Sequence, residues 1–241
     1  MNTSRKRKNN DHADAATKSS KRLAPPEPRR RLTDIAYERL EEAIVTMQIP
    51  PGSVVSEQTL SEMLDIGRTP TREAIQQLAR EHLLQVLPQR GLLVPDIDLR
   101  KQLRLLETRR EVERLVCRSA ARRATPEQRE AFFRLRDEFL HSARENDDLT
   151  FIRADREFNE LSLKAARNEF SEGAMRLMHG LSRRFWYGHH KQVADLSEIA
   201  QLHAAVADAI GRGDSEAAGT SLDALLDNIE EFAKSTLTYD L

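Results

Sequence analysis

Residues 56–91, SEQTLSEMLDIGRTPTREAIQQLAREHLLQVLPQRG, constrain the fold more than any other stretch of this 241-residue chain. Ser56 is a suitable N-cap for a helix that carries Leu60 and Leu64 on one face. That helix is expected to stop around Asp65-Ile66-Gly67, with glycine supplying the turn. Thr69 is predicted to cap a second helix with Pro70 in its first position, and Ala74, Ile75, Leu78 and Ala79 give it an apolar face. Arg68, Thr69, Thr71 and Arg72 crowd its N-terminal turn. Residues 84–87 and 92–94 read as two short strands joined by PQRG, with Arg90 at the tip. An earlier helix, capped by Thr33, carries Ala36, Leu40, Ala43, Ile44 and Met47 at helical spacing, and PPG at residues 50–52 stops it. The order is a helix-turn-helix with a two-stranded wing, in which the second helix enters the DNA major groove by its N-terminal end.

The module resembles the GntR-type winged-helix transcription regulators. The PPG turn, SEQTLSEML, GRTPTREAIQQLAREHLL and the QRG of the wing carry the resemblance, without gaps. It implies that Arg68, Thr69, Arg72, Arg90 and Gly91 touch operator DNA. Gln58 stands where the family often has Arg, which alters what that position reads.

Charge divides unevenly. Residues 1–31 hold ten Lys/Arg against three acids, with few apolar residues and a PPEP run, and are expected to be a disordered basic tail. Such an arm adds salt-dependent phosphate affinity or serves only solubility. Residues 32–95, the DNA-binding domain, hold five Arg against nine acids, so affinity there has to come from placement and from doubling in a dimer. The single Cys117 excludes a disulfide framework, and no apolar run is long enough for a membrane helix. A cytoplasmic bacterial protein, with no membrane partner and associated with the nucleoid through DNA, is expected.

Residues 96–241 read as six helices without strands, an antiparallel all-α bundle, so the chain as a whole is mainly α. Polar residues interrupt its buried stripes. Arg109 lies between Leu105 and Val112, Asp155 between Phe151 and Phe158 with Asn159 one turn on, and His203 shares a face with Ile199, Val206 and Ile210. Arg184 follows Leu177 and Leu181 near an inner edge. Inward charges from several helices point to a polar cavity, or to an internal ion-pair network such as Arg109 with Asp155.

This half resembles the FadR C-terminal domain, the effector-binding bundle of the FadR subfamily, through ETRREVE (Glu107 to Glu113), DREFN (Asp155 to Asn159) and LHAAVADAI (Leu202 to Ile210). The resemblance implies a homodimer on a near-palindromic operator and a small effector, an organic acid by analogy, held by Arg109, Asp155, Asn159, Arg184 and His203. Many members bind a divalent metal through one Asp and three His. Here Asp155 and His203 match, whereas Asn159 and Leu225 replace histidines, so no cofactor is expected beyond a weakly bound divalent metal. The resulting expectation is a ligand-responsive DNA-binding regulator, a repressor in the family's common direction. A ligand-independent regulator whose bundle only dimerises, and a hydrolase using the cavity, stand as alternatives.

Overall fold

The computed structural model describes residues 31–193 and 195–236, so the expected basic tail lies outside the described residues except for Arg31. The first module runs α1 (Leu32–Val45), β1 (Val54–Val55), α2 (Glu57–Leu64), α3 (Arg68–Arg80), β2 (Gln85–Leu87) and β3 (Gly91–Leu93). Its core is a compact apolar cluster that includes Leu40, Ile44, Leu60, Ile75, Leu78 and Leu92, all at most 2% exposed.

Several local signals act as their chemistry requires. The Ser56 hydroxyl accepts from the Thr59 N–H at 3.0 Å and caps α2. Other helix starts differ from the sequence reading. α1 begins at Leu32 without a side-chain cap, and the Thr33 hydroxyl instead donates to Glu73 at 2.7 Å, tying α1 to α3. α3 begins at Arg68 with Gly67 as its N-cap, so Thr69 does not cap it. Pro70 then stands third, where a missing N–H still costs nothing because the first four are unpaired within the helix. The left-handed residue ending α2 is Asp65 (φ 53°), an acid that tolerates this region.

The wing is a three-stranded antiparallel sheet of order β1-β3-β2, one strand more than expected. Val54 pairs with Leu93, and Val86 with Leu92. Gly91 (φ 108°) is required by this arrangement: a Cβ there would stand 2.7 Å from the Val55 carbonyl oxygen.

The bundle comprises α4 (Leu99–Arg123), α5 (Pro126–Glu145), α6 (Asp148–Ala166), α7 (Glu169–Arg176), α8 (His179–Val193), α9 (Leu196–Arg212) and α10 (Ser215–Thr236). Thr125 and Gln128 form a reciprocal capping box at the start of α5, and Asp195 caps α9. The fourth expected helix is in fact two, because the chain turns at Leu177–Met178. No Gly or Pro marks that turn, so the apolar periodicity ran on through it. The bundle core centres on Phe132, Phe139, Phe158 and Phe185.

Helix α8 packs directly on the first module. A Cβ at Gly180 would meet the Leu83 side chain at 2.6 Å, and one at Gly188 would clash with Met47. Two glycines two turns apart thus let α8 approach α1 and the end of α3 closely.

Candidate DNA-binding face and effector cavity

Arg68, Thr69 and Arg72 stand exposed on the N-terminal turns of α3, and Gln58 is exposed on α2. Arg72 donates to Glu57 at 2.9 Å, with side chains 59% and 44% exposed, and the Gln58 amide donates to Glu62 at 2.8 Å. Pairs this exposed contribute little and exchange readily for a phosphate or a base. Arg90 is exposed at the wing tip, after Gln89 in the left-handed region. Gly91 beside it serves the backbone geometry of the sheet.

Thr71 does not belong to this face, contrary to the sequence reading. It is 1% exposed, and its hydroxyl donates to the Gly67 carbonyl at 3.0 Å, closing the turn between α2 and α3. Thr71→Val should therefore cost about 1–2 kcal/mol of stability, roughly 3–6 °C in melting temperature, with Thr71→Ser restoring most of it. Thr69→Val should leave melting unchanged. Equal melting of all three variants would refute the assignment.

Within the bundle, α4, α6, α8, α9 and α10 enclose a cavity whose apolar wall includes Phe151, Trp186, Ile199 and Ile229. Its polar lining includes Arg109, Asp155, Asn159, His179, Arg183 and His203, each at most 8% exposed. The void measures ≈ 30 Å³. That is room for about two waters, so a larger ligand has to move a wall.

The polar groups are arranged in pairs. Arg109 is bound to Glu113 through two N–H groups and donates to Ser182 at 2.7 Å, so its ion-pair partner is not Asp155. Asp155 takes Arg183 at 3.3 Å on one oxygen and lies 3.1 Å from His203 Nε2 on the other. His203 Nδ1 donates to the Ile199 carbonyl at 2.8 Å. Burial alone would raise the Asp155 pKa, but the His203 hydrogen bond and the Arg183 charge outweigh it and hold the carboxyl below its usual range. Asn159 donates its amide to Asp155 at 3.0 Å, which leaves its buried Oδ1 without a partner.

Arg184 is not part of this cavity. It is buried on another side of α8, near Asp96, Gln102 and Leu181, where burial lowers its pKa. Arg183 occupies the place that periodicity assigned to its neighbour. The phase reckoned from Leu177 and Leu181 misleads because Leu177 lies in the turn between α7 and α8, and Leu181 packs on the apolar cluster of the first module instead of the bundle core.

The donor set does not fit the family's metal. Leu225 is fully buried in the apolar core, Asn159 turns its NH₂ toward Asp155, and the Arg183 guanidinium stands against the carboxylate that would ligate. Two strong donors beside a fixed cation make a poor site for a divalent ion.

His179 lies 3.9 Å from Glu113, and burial, then the charges of Arg109 and Arg183, push its pKa well below the usual value. Its folded pKa is depressed, so the unfolded chain binds the extra proton and stability falls as pH drops below about 6.5. The expected slope is about 1.4 kcal/mol per pH unit. Urea unfolding at pH 7, 6 and 5 should show this slope in the native protein and a shallower one in His179→Gln. The Asp155 contribution is lost only at more acidic pH, as its carboxylate takes up a proton. Equal slopes would contradict the assignment.

Comparisons with known proteins agree with this architecture. Residues 32–94 match the profile of bacterial regulatory proteins of the gntR family, and residues 104–228 match the FCD domain. An HTH-type transcriptional regulator from an unstable DNA locus of Streptomyces ambofaciens is 30% identical over 80% of this chain and 83% of its own length. The HTH-type transcriptional repressor RspR of Escherichia coli K12 is 27% identical over 81% and 86%. Among solved structures, E. coli McbR/YncC superposes with a TM-score of 0.70 at 20% identity, covering 86% of this chain and 99% of that one. A GntR-type regulator from Rhodococcus gives 0.61 at 22%, covering 84% and 97%.

Proposed function

The chain belongs to the GntR family of bacterial regulatory proteins, with an FCD domain behind its winged helix, and from that premise we propose that it is a repressor whose grip on a near-palindromic operator answers to a small metabolite. The observation that carries the reading is the exposed row Arg68, Thr69 and Arg72 at the start of α3, set beside an arginine-tipped wing on a module packed directly against a polar cavity. Repression is favoured by the similarity to RspR. A homodimer is favoured by apolar side chains left exposed on adjoining elements: Leu115 of α4, Phe170 of α7 and Leu177 just after it, at 48%, 83% and 43%. Two copies place two recognition helices on half-sites one helical turn apart.

The metabolite is a compact molecule with an apolar body against Phe151 and Trp186 and an acid group toward the guanidinium of Arg183. Arg109 and Arg183 each already face a carboxylate, so the acid group competes for donors that are in use. Hydroxyl-radical footprinting of the chain's own promoter, with sedimentation of the free protein, tests the DNA half. Two protected patches about ten base pairs apart and a dimer are expected. A single patch with a monomer would overturn it.

A further inference from the structure

Arg183 joins the cavity to the DNA-binding module. Its guanidinium is 7% exposed as a side chain and is held by two carboxylates from different parts of the fold. On one side it donates to Asp155 of α6 at 3.3 Å, inside the cavity. On the other, Nε donates to Glu41 of α1 at 3.1 Å and Nη2 donates to the same oxygen. Glu41 is 1% exposed, so neither charge has water to fall back on.

We propose that Arg183 is a relay: a ligand carboxylate entering the cavity draws the guanidinium away from Glu41 and loosens α1 from α8. This deepens, and rests on, the reading that the cavity takes an effector acid. Three features make such an exchange possible. A second cation, Arg156, lies 3.8 Å from Glu41 and donates to the Glu38 carbonyl, so Glu41 has an alternative partner when Arg183 leaves. Gly180 and Gly188 seat α8 closely against Leu83 and Met47 of the first module, so a shift of α8 is felt by those side chains. The cavity is too small for a ligand unless a wall moves, and α8 is one of its walls. The nearby pair of Glu42 with Arg153 ties α1 to α6 instead, but Arg153 is 55% exposed, and neither residue lines the cavity.

Trp186, the chain's one tryptophan, lines the cavity and reports on it without any ligand. In the full-length protein, Glu41→Gln, made in the DNA-binding module, should shift Trp186 emission and raise acrylamide quenching, whereas Glu42→Gln should do neither. In the opposite direction, Asp155→Asn should speed amide hydrogen exchange across residues 32–45 about five-fold or more. The two changes combined should add little to the larger single effect. If Glu41→Gln alone proves too unstable, Glu41→Gln with Arg183→Gln removes both charges; it should fold, and Asp155→Asn should then no longer affect α1. A folded Glu41→Gln with native Trp186 fluorescence, or unchanged α1 exchange in Asp155→Asn, would overturn the relay. These measurements need no effector, so their failure leaves the effector reading intact. Titration with acetate, succinate and benzoate that moves neither Trp186 nor operator binding would instead count against that reading.

Discussion

Arg72→Ala should lower affinity for promoter DNA by roughly 30-fold to 10⁴-fold while leaving the melting temperature unchanged. The estimate follows from about 1–3 kcal/mol for one arginine at a base edge, counted twice in a dimer. What is lost within the protein is only the exposed pair with Glu57, at most about 1 kcal/mol. The same geometry gives a change of opposite sign: Glu57→Gln removes an acid from the face that meets phosphate and should tighten binding. Anisotropy titrations at fixed salt measure both, and the salt must be fixed because phosphate contacts weaken as it rises. Full binding by Arg72→Ala would remove α3 from the DNA interface.

Phe139→Ala is the substitution with the largest expected effect on stability. Phe139 is fully buried on α5, with ring centroids 5.8 Å from Phe151, 6.0 Å from Phe158 and 5.0 Å from His203. Truncation deletes contacts with two rings and an imidazole and leaves a cavity that close-packed helices fill only in part, costing about 3–5 kcal/mol. In a chain of this size that is roughly 10 °C in melting temperature. Because the ring backs His203 behind the cavity, the variant should also enlarge the void beside Asp155 and quench Trp186 differently. A loss under about 1 kcal/mol in urea unfolding would mean that the bundle core is not built around this ring.

Much of this architecture was legible because its signals are local. The cap at Ser56 depends on a side chain and a backbone N–H three residues away, and the helical stripes of α1 and α9 depend on neighbouring turns. What escaped the sequence depends on distance. β1 is two residues long and has no periodicity of its own; it exists because Leu92 and Leu93 offer it a partner. Thr71 and Thr69 look alike in sequence, and only the approach of the Gly67 carbonyl makes one a buried turn-closing residue. Arg183 was passed over for Arg184 because its value as a site residue comes from Glu41, 142 positions away, and from a helix break that carries no residue signature. Asp155, Asn159 and His203 line one cavity, as their inward spacing on α6 and α9 suggests.

The most direct measurement is the affinity of the full-length protein for its own promoter DNA, by anisotropy, with and without each of a panel of small organic acids. The account predicts binding well above that for unrelated DNA, and at least one acid that changes the dissociation constant about five-fold or more. It also predicts that Asn159→Leu, which replaces a polar group of the cavity lining by an apolar one, abolishes the response to that acid. Promoter DNA bound no tighter than unrelated sequence, or a response to the acid that survives in Asn159→Leu, would contradict it.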